Sequence, residues 1–268
     1  SPAGNDGAAF RLASALNACE GADLPSNFFW APVSVLRHAD GREERFPHLV
    51  TDRARPGVIA VNQKAERFVN ESNSYHHFAS AMQSQPENAP CFLICDALAM
   101  KRYGLGLARP APVNNDALIE AGYLHKADSL ARLAQQLGLD AQALAGTVAR
   151  YNRDAAQGED PQFAKGGNSY NRAMGDPRHQ PNACNAPLLK APFYAITLYT
   201  GDLGTSRGLV TSENAQVLNQ QRQPIQGLYA VGNDMDSMMA GTYPGPGITL
   251  GPALTFGYIA AHHIARGA

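Results

Sequence analysis

The chain has 268 residues, 44% of them hydrophobic and 17% charged, so it can bury a sizeable core and is not a disordered tail. Its 22 basic residues stand against 23 acidic ones and form no Lys/Arg run, which excludes an electrostatic case for nucleic-acid binding or a polybasic membrane patch. Four cysteines are too few for a disulfide framework.

The first ten residues, SPAGNDGAAF, have neither a basic nor an apolar signal region, so a cytoplasmic location is expected. They also lack an initiator methionine, and the expectation is a cleavage product or a part of something longer. Asn5 or Asp6 caps a first helix that runs to about Leu16. From Gly21 to Pro56 the chain reads as irregular, with one short strand at Val33–Arg37 before the Asp40-Gly41 turn. A hairpin is expected next, with Val58–Val61 and Arg67–Asn70 flanking a polar turn. A short helix over Tyr75–Ser84 follows. Cys91–Cys95 (CFLIC) reads as a buried strand with both cysteines on one face as free thiols, and a helical turn spans Ala97–Tyr103.

Two helices come after Asp128 and Asp140. In the second, Leu144, Val148, Tyr151 and Ala155 mark one face. Pro161–Pro187 reads as a long polar loop. Strands are expected at Phe193–Tyr199, Gly208–Thr211, Ala215–Leu218 and Gly227–Gly232. A final helix over Thr249–Arg266 is apolar on most faces, which predicts burial. Adjacent pairs such as His76-His77 and His262-His263 do not face one site, and no His, Cys or carboxylate spacing suggests zinc.

The chemistry-bearing stretch is GLYAVGND followed by GTYPGPGITLGPALTFGYIAA. A hydrophobic strand runs into Gly232-Asn233, and a Gly/Pro loop then opens onto the last helix. Glycines at a helix N-terminus let backbone N–H groups approach a ligand, and the helix dipole favours negative charge there. A tight structural connection is the other reading of such a loop.

These motifs resemble the C-terminal signature of the 3-ketosteroid dehydrogenase branch of the fumarate reductase/succinate dehydrogenase flavoprotein superfamily. PFYAITLYTGDLGTSRGLVT (Pro192–Thr211), VIAVNQKAERFVNE (Val58–Glu71), FLICDALAMKRYGLG and ADSLARLAQQLGLDAQALAGTVARYN extend the likeness over nearly the whole chain. The resemblance implies an α/β to α+β fold. An incomplete FAD-binding domain, residues 1–55 and 190–268, would hold an inserted α+β substrate-capping catalytic domain, residues 56–189, with the site where the cap meets the Tyr243–Gly247 loop.

It further implies FAD as cofactor. Gly232 and Asn233 would contact its ribityl–pyrophosphate part, and Gly247, Ile248, Thr249, Leu250, Gly251, Ala253 and Leu254 would line the flavin ring. Tyr243 and the Gly247 N–H would polarise a substrate ketone and so acidify the C–H beside it, while the adjacent carbon delivers hydride to flavin N5. The implied partner is an apolar, ketone-bearing small molecule, steroid-like or another cyclic enone. The alternatives are a fumarate-reductase-like enzyme acting on a carboxylate-conjugated C=C bond, or a non-catalytic part that holds half a flavin site.

Three departures from the family pattern matter. Ala99 stands where steroid-type members commonly carry a tyrosine base, which leaves Tyr103 as the substitute base or as a packing residue. Arg207 stands where a glycine is frequent. The G-x-G-x-x-G turn that holds the pyrophosphate is absent, so the N-terminal half of the FAD domain is expected to be a missing partner.

Overall fold

The computed structural model of the chain describes residues 4–49 and 51–267. The expectation attached to the first residues therefore lies in part outside the described ones. In chain order the elements begin with α1 (Ala8–Ser14), β1 (Phe28–Arg37), β2 (Glu43–Pro47), β3 (Val58–Val61), α2 (Tyr75–Gln83), β4 (Cys91–Cys95) and α3 (Ala97–Tyr103). Then come α4 (Asp116–Glu120), β5 (His125–Ala127), α5 (Leu130–Leu137), α6 (Ala141–Ala155) and α7 (Ser169–Met174). The last are β6 (Phe193–Thr205), β7 (Gln216–Leu218), β8 (Pro224–Tyr229) and α8 (Leu250–Ala265). Two compact units result: Ala31–Gly201, and Ser1–Trp30 together with Asp202–Ala268.

The larger sheet has the order β2-β1-β6-β4-β3, with β5 also paired to β6. Strands β3 and β4 are antiparallel with Val58 opposite Cys95, and β4 pairs β6 with Cys91 opposite Leu198. Every residue of β3 and β4 is buried, because helices cover both faces. Val58, Ala60, Cys91, Leu93 and Cys95 pack with Phe78 and Met82 of α2. Ile59, Val61, Phe92 and Ile94 pack with Leu133 of α5 and Leu144, Val148 and Tyr151 of α6. All four cysteines are buried and free. Burial pushes the Cys91 and Cys95 thiols well above their ordinary range.

Several sequence expectations hold in detail. Asp140 caps α6 through the Ala143 N–H and Gly138 closes α5, whereas Ser74 as the cap of α2 and Asp96 as the cap of α3 were not among the expectations. The carboxylate of Asp96 caps α3 through the Leu98 and Ala99 N–H groups, and its second oxygen accepts from those of Leu189 and Lys190.

Others are corrected. Arg67–Asn70 is not a strand, and β3 pairs with β4 instead of a hairpin partner. The Asn62 side chain captures the Lys64 and Glu66 N–H groups, and Arg67 is drawn into a buried ion cluster with Glu71 and Asp160, each within 2.9 Å. The irregular Gly21–Pro56 stretch contains the paired β1 and β2, with Val33 opposite Pro47. Pro161–Pro187 carries α7 and is pinned by buried Lys165, Asn171 and Asn185; the Lys165 ammonium reaches the Val58 carbonyl. Residues 208–211 make only isolated bridges, Leu209 to Glu20 and Met235, and Thr211 to Val217. Gly7, and no side chain, stands at the N-cap of α1, while Asp6 pairs with Arg11 at 2.8 Å.

The expectation for the last helix fails most clearly. Of α8 only Ala260 is buried, and Leu250, Leu254 and Tyr258 are each about 70% exposed. Steps of four place these three on one side of the helix, and no described residue covers that stripe.

Candidate functional site

The unit built from the two ends of the chain has a small core of its own, with Ala13, Ala18, Leu209, Val217, Ala230 and Met235. Strand β8 leads from it through Ala230 and Val231 into a 3₁₀ turn at Gly232–Asp234. The Thr205 hydroxyl donates to the Asn233 carbonyl at 3.0 Å. Gly204, at φ 142°, lies so close that a Cβ there would stand 2.3 Å from the Asn233 amide nitrogen. Only glycine leaves that side chain its place.

The Gly/Pro loop ends at Gly247, whose φ of 100° is a conformation other residues avoid. A Cβ at Gly247 would have no neighbour within 4 Å, so its main chain is bare. Thr249, the N-cap of α8, makes no side-chain cap, and no acidic residue sits in the first turn. The Gly251 N–H is taken by the Gly247 carbonyl at 2.7 Å, and Pro252 has none to give. An uncapped helix start with bare glycine before it presents positive main-chain dipole to whatever rests there.

Two adjoining hollows meet at Thr205 and Asn233. A small one of about 280 Å³, mouth included, is lined by Phe29, Gly232, Ile248 and Thr249 among others. A larger groove of about 1070 Å³, mouth included, runs past the Gly4–Phe10 segment, Gly204 and Asp234. Of the residues expected from sequence, Gly232, Asn233, Ile248 and Thr249 thus share one hollow. Ala253 packs 3.3 Å from the Cβ position of Gly232, whereas Leu250, Gly251 and Leu254 lie exposed. Tyr243 is half-buried with its ring edge-on to Phe29, centroids 5.6 Å apart. Phe29, Thr205, Gly204 and the Gly4–Phe10 segment were not among the expected site residues. The signal for Gly204 and Thr205 was present in the GDLGTSRG stretch.

Tyr103 belongs to the Ala31–Gly201 unit. Its phenol donates to Asp176 at 2.8 Å, and the Arg55 and Arg102 guanidinium groups lie over its ring. Burial and the bond to Asp176 push the phenol up to about 12. Burial alone would raise Asp176, but the Arg178 N–H, the Tyr103 hydroxyl and Arg102 bring it down to about 2. Arg207 is anchored by the Gly21 carbonyl at 2.7 Å and by Asp23 and Glu20 at 3.3 Å.

Residues 1–250 match the FAD binding domain family, and the chain belongs to that family. It is 42% identical over 240 residues to the 4-oxocyclohex-2-ene-1-carboxylate 5-dehydrogenase of Sinomonas cyclohexanicum, covering 88% of this chain and 40% of that protein. Identity to the 3-oxosteroid 1-dehydrogenase of Mycolicibacterium smegmatis is 37% over 251 residues, 91% of this chain and 43% of the relative. Among solved structures, the 3-ketosteroid Δ1-dehydrogenase of Sterolibacterium denitrificans, in complex with 1,4-androstadiene-3,17-dione, aligns with a TM-score of 0.90 at 38% identity. That alignment covers all of this chain and 48% of the other. The chain therefore spans less than half the length of these relatives.

FAD is the cofactor of the family. The residues described fit part of such a group. Bare backbone at Gly247 and the uncapped start of α8 suit the edge of a flat ring, and the groove past Gly204 and Asn233 suits an extended chain. Among the described residues no helix is long and apolar enough to cross a membrane.

Proposed function

From this family membership we propose that the chain is part of a cytoplasmic FAD-dependent dehydrogenase that oxidises a CH–CH bond beside a ketone in an apolar cyclic substrate. When bound, FAD supplies the two-electron acceptor, taking hydride at N5. The chain's own residues would do the rest. Tyr243 donates its O–H and Gly247 its N–H to the ketone oxygen, which draws charge onto that oxygen and acidifies the neighbouring C–H. Gly232, Asn233, Ile248 and Thr249 hold the cofactor with main chain and short side chains, and Leu250, Gly251, Ala253 and Leu254 continue that lining along α8.

Within the same reading, residues 56–189 are a capping domain inserted into an incomplete FAD-binding domain. The order of the units along the chain supports this, since one compact unit is assembled from both chain ends and the other lies between them. The uncovered Leu250–Leu254–Tyr258 stripe supports a separate N-terminal FAD-domain half as the partner that lies on it. The surroundings of Tyr103 favour packing over the role of base, because a phenol bonded to a carboxylate and raised to about 12 stays protonated at neutral pH.

The observation that carries the reading is the bare main chain of Gly247 at an uncapped helix start, four residues beyond a half-buried tyrosine. In the complete protein, Tyr243→Phe is expected to lower kcat on a cyclic enone precursor by about 10²–10³-fold while the flavin absorbance stays. Unchanged turnover would remove Tyr243 from the mechanism. The 268-residue chain alone is expected to purify nearly colourless, and stoichiometric flavin in it would overturn the half-site reading.

A further inference from the structure

On the Ala31–Gly201 unit three guanidinium groups gather round one carboxylate. Asp176, its side chain 3% exposed, accepts at Oδ2 from the Tyr103 hydroxyl and from Arg102, both at 2.8 Å. Its Oδ1 accepts from the Arg178 N–H at 2.9 Å, and the exposed Arg178 guanidinium stands 3.5 Å away. Arg55 takes no share of that charge. Half-buried, it donates from Nη1 to the Gly175 carbonyl at 2.6 Å, and no carboxylate of the described residues is paired with it. Asp176 thus answers one of three positive charges, and both of its oxygens are taken.

The surplus charge is concentrated in one place. Arg55 and Arg102 both lie over the Tyr103 ring, 5.4 and 5.3 Å from its centroid, and the adjacent residues Gly175 and Asp176 hold them there. Two like charges set on one ring repel, and the partial burial of Arg55 removes water that would screen them. As a pin for the Gly175 carbonyl Arg55 uses one of its five N–H groups, a task that needs no charge. What the arrangement lacks is a second anion, and a guanidinium meets a carboxylate with two parallel N–H groups.

The ground beside the cations is apolar. Leu98 stands one turn before Arg102 on α3, hence on the same face, and is 58% exposed. Leu189, 66% exposed, is drawn to the same place, because Asp96 accepts from the Leu98 N–H with one oxygen and from the Leu189 N–H with the other. Asp96 itself is buried and also takes the Ala99 and Lys190 N–H groups, so it does not answer the cations outside. Lys101 and Lys190 are exposed and add to the same sign.

We propose that Arg55 and Arg102 bind the carboxylate of a small organic acid whose apolar ring lies on Leu98 and Leu189. This rests on the dehydrogenase reading above and deepens it, since the ring ketone oxidised by the complete protein then carries a carboxylate. The two arginines select and hold that substrate and take no part in proton or hydride transfer.

The test uses the complete protein at constant ionic strength and has two readouts. In calorimetric titration, cyclohexanecarboxylate, which has no ketone to oxidise, is expected to bind about tenfold or more tightly than either cyclohexanecarboxamide or inorganic phosphate. In turnover, a cyclohexanone bearing a carboxylate is expected to show a KM about tenfold or more below that of the same ring bearing a carboxamide. Arg55→Met should bring both ratios near one, whereas Arg132→Met, an exposed site on α5, should keep them. The proposal is overturned if acid and amide bind alike, if phosphate binds as tightly as the acid, or if Arg55→Met keeps the preference. Oxidation of both rings with no preference removes the carboxylate site and leaves the dehydrogenase reading standing. Selective acid binding with oxidation of neither ring does the reverse. Should Arg55→Met fail to fold, the acid-to-amide ratio of the unsubstituted protein decides.

Discussion

Strand β4 and helix α8 are both apolar runs, and they end in opposite surroundings. All five residues of β4 are buried, between α2 and α3 on one face and α5 and α6 on the other. In α8, sixteen residues long, one residue is buried and Leu254 is 73% exposed. Apolar side chains state that a surface is to be covered, and they do not state that the cover lies in the same chain. In the larger unit the cover of β4 lies in the same unit. The other leaves bare the stripe and the main-chain edge through which we propose it works.

The contrast can be broken most forcefully inside the larger unit. Arg67→Ala strands Glu71 and Asp160, both buried carboxylates, with only Lys165 near. A loss of about 3–5 kcal/mol is expected in denaturant unfolding followed by far-UV circular dichroism, and a loss under 1 kcal/mol would mean that the cluster is wetter than it stands here. Ile94→Ala should cost about 2–5 kcal/mol, because helices on both faces keep the site from collapsing.

Acid sharpens the comparison next. Burial would raise Asp52, Glu71, Asp160 and Asp176, yet their cationic and hydrogen-bond partners depress all four, Asp176 to about 2. A carboxylate depressed in the folded state contributes stability above its unfolded value, and that contribution is lost as pH falls through the folded one. The Ala31–Gly201 unit should therefore weaken between about pH 4 and about pH 2, read as earlier loss of amide protection in β4 than at neutral pH. An acid-insensitive β4 would contradict the ion-pair account. The smallest effect belongs to α8. In the chain alone Leu254→Ala should change stability by less than about 0.5 kcal/mol, and a cost like that of Ile94→Ala would show that the stripe is covered after all.

Much of the larger unit was legible from residue order. The run CFLIC, the cap at Asp140, and the spacing of Leu144, Val148, Tyr151 and Ala155 are local signals that the fold obeys. The hairpin expected at Arg67 does not form, because a buried partner 93 residues away, Asp160, decides where that arginine goes. Strand β2 was not legible, a charged edge strand whose pattern EERFP looks like a surface loop until β1 pairs with it. At the candidate site the strand-to-glycine turn and the helix start were read from motif likeness, and Gly232, Asn233, Ile248 and Thr249 share a hollow. Phe29 and the Gly4–Phe10 segment come from the far end of the chain, and no pattern near Tyr243 points to them.

Gly204 has a practical corollary. Its missing methyl leaves Asn233 its place, and both residues line the same groove. Gly204→Ala would act as a wedge, swinging an uncharged amide toward the cavity without altering any charge. In the complete protein it would offer a way to dial cofactor retention separately from the chemistry we propose for Tyr243.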